Sequence, residues 1–91
     1  MDIRTLSLFQ HLAYSLHFTR TAEAMYVSPS TLSRTIQRLE EECGATLFIR
    51  DNRSVKLTAI GKQVLLFCDQ FLDEWRRLQQ NINDQNTALH L

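Results

Sequence analysis

From Ile60 to Ile82 apolar residues return at steps of four, three, four, four, three and four (Ile60, Val64, Phe67, Phe71, Trp75, Leu78, Ile82). The mean step of about 3.67 residues is close to the period of an undistorted helix. A second row, Leu65, Cys68 and Leu72, widens the stripe. The pattern predicts a helix from Ala59 to about Asn83, capped by Thr58 and extending ~36 Å at ~1.5 Å per residue. The whole chain has 91 residues, which suffices for a single compact core. The residues ahead of this helix can cover only its first turns. Its outer part is left as an exposed apolar seam, and such seams mark partner surfaces. A second copy packed through Val64, Phe67, Phe71, Trp75, Leu78 and Ile82 is the economical cover. Folding the helix back along its own core would demand more partner surface than three short helices offer. The polar stretch Asp84-Gln85-Asn86-Thr87 is expected to fray.

The first helix shows the same kind of periodicity. Ile3, Leu6, Phe9, Leu12, Ala13 and Leu16 keep to one face, and Asp2 stands where a cap belongs. After the break at Phe18-Thr19, Thr19 can cap a short second helix, Arg20 to about Tyr26, with Ala22 and Met25 on one face. Ser28-Pro29 then combines an N-cap hydroxyl with the one residue whose missing N–H costs nothing at the first helical position. The third helix keeps Leu32, Ile36, Leu39 and Cys43 inward and stops at Gly44, a left-handed C-cap. Leu47-Phe48-Ile49-Arg50 and Val55-Lys56-Leu57-Thr58 flank the turn-rich Asp51-Asn52-Arg53-Ser54, which predicts a two-stranded hairpin supported by the helices.

Several function classes drop out. With 44% apolar and 22% charged residues the composition is that of a folded globular chain. No apolar run reaches the ~20 residues that span a bilayer, and Met1-Asp2-Ile3-Arg4 does not resemble a secretion signal, so a cytoplasmic protein without membrane contact is expected. Cys43 and Cys68 lack close Cys or His companions and read as reduced thiols. His11, His17 and His90 have neither metal-ligand nor triad spacing, and two glycines make no phosphate loop. Glu40-Glu41-Glu42 cannot converge, because adjacent helical residues point in different directions. No enzyme, metal, cofactor or small-molecule site is expected.

Net charge is zero, but it is unevenly spread: residues 1–62 hold eight basic groups against six acidic, residues 63–91 two against four. The basic groups gather around Arg34/Arg38 and across Arg50–Lys62, where they can face phosphate. On a helical wheel Ser30, Arg34, Gln37 and Glu41 lie opposite the apolar stripe of the third helix, with Ser33 and Arg38 on its flanks. Short hydroxyls, an amide and arginines at a helix start suit base edges and phosphates in a major groove. Taken alone such a face would be merely solvated; what changes the odds is the helix, turn and helix that present it. Arg50, Arg53 and Lys56 on the thin hairpin could reach over the backbone into a minor groove, or could simply solubilise it.

Phe18-Thr19-Arg20-Thr21-Ala22-Glu23-Ala24-Met25-Tyr26-Val27-Ser28, then Leu32-Ser33-Arg34, Ile36-x-x-Leu39-Glu40, Gly44, Leu47-Phe48, Arg50, Arg53, Leu57-Thr58 and Gly61 carry a resemblance over nearly the whole chain. They resemble the N-terminal DNA-binding domain of the LysR-type transcriptional regulators. The resemblance implies a mainly α fold, a winged helix-turn-helix of three helices and a two-stranded wing over residues 1–58. Residues 59–91 would be a linker helix that dimerises, with a frayed tail. It implies binding of double-stranded DNA at an interrupted palindrome, with groove-reading residues at Ser30, Ser33 and Arg34 and a wing contact at Arg53. The candidate DNA contacts are Ser28, Pro29, Ser30, Thr31, Ser33, Arg34, Gln37, Arg38, Arg50 and Arg53. Many members carry Gln at the position of Pro29, so one base-reading side chain is absent here.

Ser28 to Arg34, Gln37 to Glu41 and Arg50 to Arg53 look most like the IlvY branch, activators of acetohydroxy-acid isomeroreductase synthesis in branched-chain amino-acid biosynthesis. Family members continue into an effector domain, which would assemble higher oligomers; this chain stops first, as a fragment or a natural truncation would. The competing expectation is a winged-helix module that binds protein rather than DNA.

Overall fold

The computed structural model describes residues 1–89, in the order α1 (Ile3–Ser15), α2 (Phe18–Ala24), α3 (Pro29–Cys43), β1 (Phe48–Arg50), β2 (Val55–Leu57) and α4 (Ala59–Leu89). Local capping chemistry places most of these boundaries. Asp2 Oδ1 accepts from the Thr5 amide at 2.8 Å and opens α1. Ser28 Oγ accepts from the Thr31 amide at 3.1 Å, with Pro29 as the first residue of α3, and Gly44 closes that helix at φ 67°. Thr58 Oγ1 accepts from the Gly61 amide at 2.9 Å at the start of α4.

The second helix departs from expectation. Its cap is His17, whose Nδ1 accepts from the Arg20 amide at 3.1 Å, so α2 starts at Phe18 and Thr19 lies inside it. An unprotonated imidazole nitrogen three residues before an orphan N–H can accept as a cap hydroxyl does. At the other end Met25 caps the helix, and Tyr26 leaves it with φ 58° instead of belonging to it.

Phe9, Leu12, Ala22, Leu32, Ile36, Leu39, Leu47 and Cys68 form the centre of the core, where α1 is covered by α4 on one side and by α2 and α3 on the other. Double coverage explains why Leu8, off the expected stripe, is buried as well. Ile3 and Leu16, at the two ends of α1, are exposed; Leu16 is the C-cap, at φ 54°. Cys43 is exposed too, because the buried stripe of α3 stops at Leu39.

β1 and β2 are shorter than the apolar runs suggested and pair antiparallel, Phe48 with Leu57, Ile49 with Lys56 and Arg50 with Val55. Alternation puts Phe48 and Arg50 on the inner face. Phe48 meets Phe9 and Phe18 at ring distances of 5.4 and 6.4 Å. Two backbone relations anchor the hairpin to α4: the Thr58 amide donates to Leu47 O at 2.9 Å, and Gly61 lies so close that an added Cβ would fall 2.7 Å from Leu57 Cδ1 and inside the shell of Leu47 O.

The 31 residues of α4 carry one wide apolar stripe, of which the domain covers only one edge. Gly61, Cys68 and Leu72 are buried, with Val64 and Leu65 packed beside them. Asp69, on the flank of that face, accepts from Gln10 Nε2 at 2.7 Å and from the Tyr14 hydroxyl, clasping α4 to α1. That bond raises the Tyr14 pKa above the ordinary phenol value, and burial pushes the Cys68 thiol up to about 11. Ile60, Phe67, Phe71, Leu78 and Ile82 are exposed. Val64 therefore belongs to the core edge and not to the expected seam, since it stands one turn before Cys68. Trp75 is half-buried for the same reason, one step beyond Leu72. The helix also continues through 84–87, where fraying was expected, to Leu89; His90 lies outside the described residues.

Candidate nucleic-acid interface

The start of α3 carries a knot of hydroxyls. Ser28 Oγ, already accepting from Thr31 N, donates to Thr31 Oγ1 at 2.9 Å and lies 3.2 Å from Ser30 Oγ. Ser28 is thereby committed to capping, while Ser30 and Thr31 stand at the exposed rim. Pro29 is exposed at the first helical position and offers only an apolar ring. Further along, Arg34, Gln37 and Arg38 are exposed, and their side chains make no hydrogen bond or ion pair among the described residues. Arg34 and Gln37 stand opposite Leu32, Ile36 and Leu39, and Arg38 on the flank, as the wheel predicted.

The turn that aims this helix is held from outside. The Arg4 guanidinium donates to the Met25 carbonyl, the Val27 amide donates to Ala22 O at 3.0 Å, and Tyr26 between them is 93% exposed. Beneath the turn, buried Thr21 meets His11 Nδ1 at 2.9 Å and Ser15 Oγ at 2.7 Å, a polar link between α1 and α2. Nothing in the local pattern around Arg4 or Thr21 announces these partners.

Glu40 is the second group the sequence reading missed. Its Oε2 accepts from the amides of Leu47 and Phe48, at 2.7 and 3.3 Å, and so ties the end of α3 to the start of the wing. The signal was present in its position beside Leu39, at the edge of the buried face, where a carboxylate needs donors.

At the wing tip Asp51 Oδ1 accepts from the Arg53 and Ser54 amides, both at 2.8 Å. These bonds hold its carboxyl below the usual carboxylate range. The Asp51 amide donates to Ser54 O at 3.0 Å, closing the turn. Arg53 is exposed and its guanidinium has no partner among the described residues; Lys56 is exposed on the outer face of β2. Arg50 differs. It stacks 4.0 Å over the Phe18 ring and donates to Ser33 Oγ at 2.9 Å. Arg50 thus joins the wing to the helix face that bears Ser33, with exposed Arg34 and Arg38 on α3 and Arg53 at the wing tip, while the acidic Glu40 and Asp51 are engaged by backbone amides.

A profile of bacterial regulatory helix-turn-helix proteins of the lysR family matches residues 3–62. The chain belongs to this lysR family. Among curated relatives, the transcriptional regulator IlvY of Escherichia coli K12 is 53% identical over 89 residues, 98% of this chain and 30% of the relative. This lysR-family chain therefore spans about 30% of the length of the IlvY relatives it matches. Among solved structures, the DNA-binding domain of BenM in complex with catB site 1 DNA aligns with TM-score 0.88 and 30% identity, over 92% of this chain and 93% of that one. The DNA-binding domain of CbnR in complex with DNA aligns with TM-score 0.81 and 27% identity over 100% of both. The winged-helix fold with a long last helix, the family and the IlvY likeness expected from the sequence are borne out. Among the described residues no helix is long and apolar enough to cross a membrane.

Proposed function

We propose that this chain is the DNA-binding and dimerisation part of an IlvY-like transcriptional regulator. Residues 1–58 bind double-stranded DNA, and residues 59–91 link and dimerise. The observation that carries the reading is the outer face of α3, where Arg34, Gln37 and Arg38 are exposed and unpartnered. That face stands beside a wing whose Arg53 projects from a turn closed by Asp51. Solved relatives of the same fold bound to DNA support it.

In this reading α3 enters a major groove by its N-terminal half. Ser30, Ser33 and Arg34 meet base edges; Thr31, Gln37, Arg38 and the capped turn at Ser28-Pro29 lie along the backbone. Arg53 reaches the adjacent minor groove, where the narrowed negative potential favours arginine. A second copy covers Phe67, Phe71, Leu78 and Ile82, so that two recognition helices address two half-sites of an interrupted palindrome. The regulated genes are those of branched-chain amino-acid biosynthesis, the protein acts in the cytoplasm without enzymatic activity, and a longer chain with an effector domain forms higher oligomers.

The test is selection of a binding site from randomised duplexes, followed by titration of selected and scrambled duplexes over a range of salt. Log affinity is expected to fall with log salt by roughly 0.9 per phosphate neutralised. Arg34→Ala should lose ~1–3 kcal/mol of discrimination with the fold intact. Arg53→Ala should weaken both duplexes and lower the slope by about one phosphate equivalent. No selected site and no salt dependence would refute DNA binding and leave a protein-binding module.

A further inference from the structure

Two of the expected DNA contacts are not independent groups. Arg50 is held from below by the Phe18 ring, 4.0 Å from its guanidinium carbon, and its Nη1 donates to Ser33 Oγ at 2.9 Å. A serine hydroxyl has one proton to give and two lone pairs. Here one lone pair is occupied by a cationic donor. Nor is the Ser33 proton spent on the helix, since among the described residues only Thr35 makes that return bond in α3, to Thr31 O at 2.8 Å. A charge-assisted bond polarises the O–H and strengthens it as a donor. Any second donor approaching the remaining lone pair would meet the Arg50 cation.

We infer that Arg50, wedged between Phe18 and Ser33, is a positioning residue that sets Ser33 as a hydrogen-bond donor, so that the chain disfavours cytosine at the base this serine meets. The inference rests on the DNA-binding reading above. Cytosine is the base that discriminates, because its major-groove edge offers only an amino donor. Guanine offers two acceptors, adenine N7 and thymine O4 one each. The occupant of the Ser33 position is therefore a base edge with an acceptor, chosen by the polarity of one hydroxyl and not by shape. Phe18 has a part in this specificity without approaching DNA: its ring lies under the guanidinium on the inner face of β1, where register already directs Arg50 beside Phe48.

The experiment uses the whole chain and its selected site, with all four bases placed in turn at each position. Ser33→Ala first identifies the position at which the preference flattens. There the wild type should bind the cytosine duplex about fivefold more weakly than the best base, the equivalent of one net hydrogen bond. Arg50→Met, which keeps an apolar stem on Phe18 but cannot donate, should remove that penalty and leave the preference read by Arg34 unchanged. Arg50→Lys, still a cationic donor, should retain most of it.

A cytosine penalty undiminished in Arg50→Met overturns the inference, and so does a Ser33→Ala variant that flattens no position. A uniform loss with a lower salt slope would make Arg50 a phosphate contact only, and would also overturn it. Should Arg50→Met fail to fold, Arg50→Leu, likewise apolar and without a donor, must remove the cytosine penalty. A wild type without preference for its selected site over scrambled DNA would instead refute the DNA-binding reading itself, a result distinct from all of these.

Discussion

Replacing Glu40 by Ala should unfasten the wing from the recognition helix. Its carboxylate takes the amides of Leu47 and Phe48 at 2.7 and 3.3 Å, and Leu47 is fully buried, at 0% exposure. With the acceptor gone, the Leu47 N–H has no water to turn to. A hydrogen bond to a charged group contributes about 1.5–3 kcal/mol, and the longer second bond adds little, so the loss should be about 2–3 kcal/mol. For a domain of this size each kcal/mol moves the melting point by about 4–8 °C, which gives a drop of roughly 10–20 °C. Glu40→Gln keeps a neutral acceptor oxygen and should lose about half as much. The control is Glu41→Ala, an exposed neighbour whose side chain makes no bond among the described residues. Melting followed by circular dichroism at one fixed protein concentration compares the four chains, because dimerisation would make the midpoint concentration-dependent. Hydrogen exchange at Leu47 should accelerate in parallel. If Glu40→Ala melts with the wild type and with Glu41→Ala, the carboxylate does not hold the wing and the reasoning fails.

Gly61→Ala should destabilise by about 1–2 kcal/mol in chemical denaturation: the clash with Leu47 O and Leu57 outweighs the better helix propensity, and a variant as stable as the wild type would refute the close approach. Replacing Phe67 and Phe71, stacked at 5.9 Å on the exposed face of α4, by Ser should yield a monomer in sedimentation equilibrium with the fold retained; a wild type that stays monomeric well above micromolar concentration would refute the dimer. The Asp51 carboxyl is held low by the Arg53 and Ser54 amides, so its contribution to wing order is complete above the unfolded value near 3.8 and disappears as the pH falls through the lower folded value. Amide shifts of Arg53 and Ser54 in an NMR titration should move together in that acid range, and shifts that move only above pH 4 would contradict the turn.

Much of the fold was legible because its signals act over three or four residues. Asp2, Ser28 with Pro29, Gly44 and Thr58 each close or open a helix through a bond to a near neighbour, and a periodic stripe is the same whether or not its partner is known. Where a local signal had a competitor, the reading failed: Thr19 and His17 are both polar residues near the start of α2, and in the fold it is the imidazole of His17 that accepts from the Arg20 amide. The candidate interface was legible to the same degree. Opposite the Leu32–Ile36–Leu39 stripe, Arg34 and Gln37 must be exposed, whereas the wheel says nothing of the commitment of Ser28 to its cap or of Ser33 to Arg50.

Local patterning alone specifies the order of elements, the inner face of α3, the turn that carries Arg53 and the presence of a long helix with more apolar surface than its domain can cover. Which part of that surface is covered depends on long-range packing. Val64, Cys68 and Leu72 go to the core and Phe67, Phe71, Leu78 and Ile82 remain outside, because α1 lies along one side of α4 and the clasp of Asp69 by Gln10 and Tyr14 fixes its rotation. Likewise, Glu40 finds the wing, Arg50 finds Phe18 and Ser33, and Arg4 finds Met25. Those partners are brought together by packing across the whole core. No periodicity records such meetings, since a period describes how a residue faces its own helix and not which other element will arrive there.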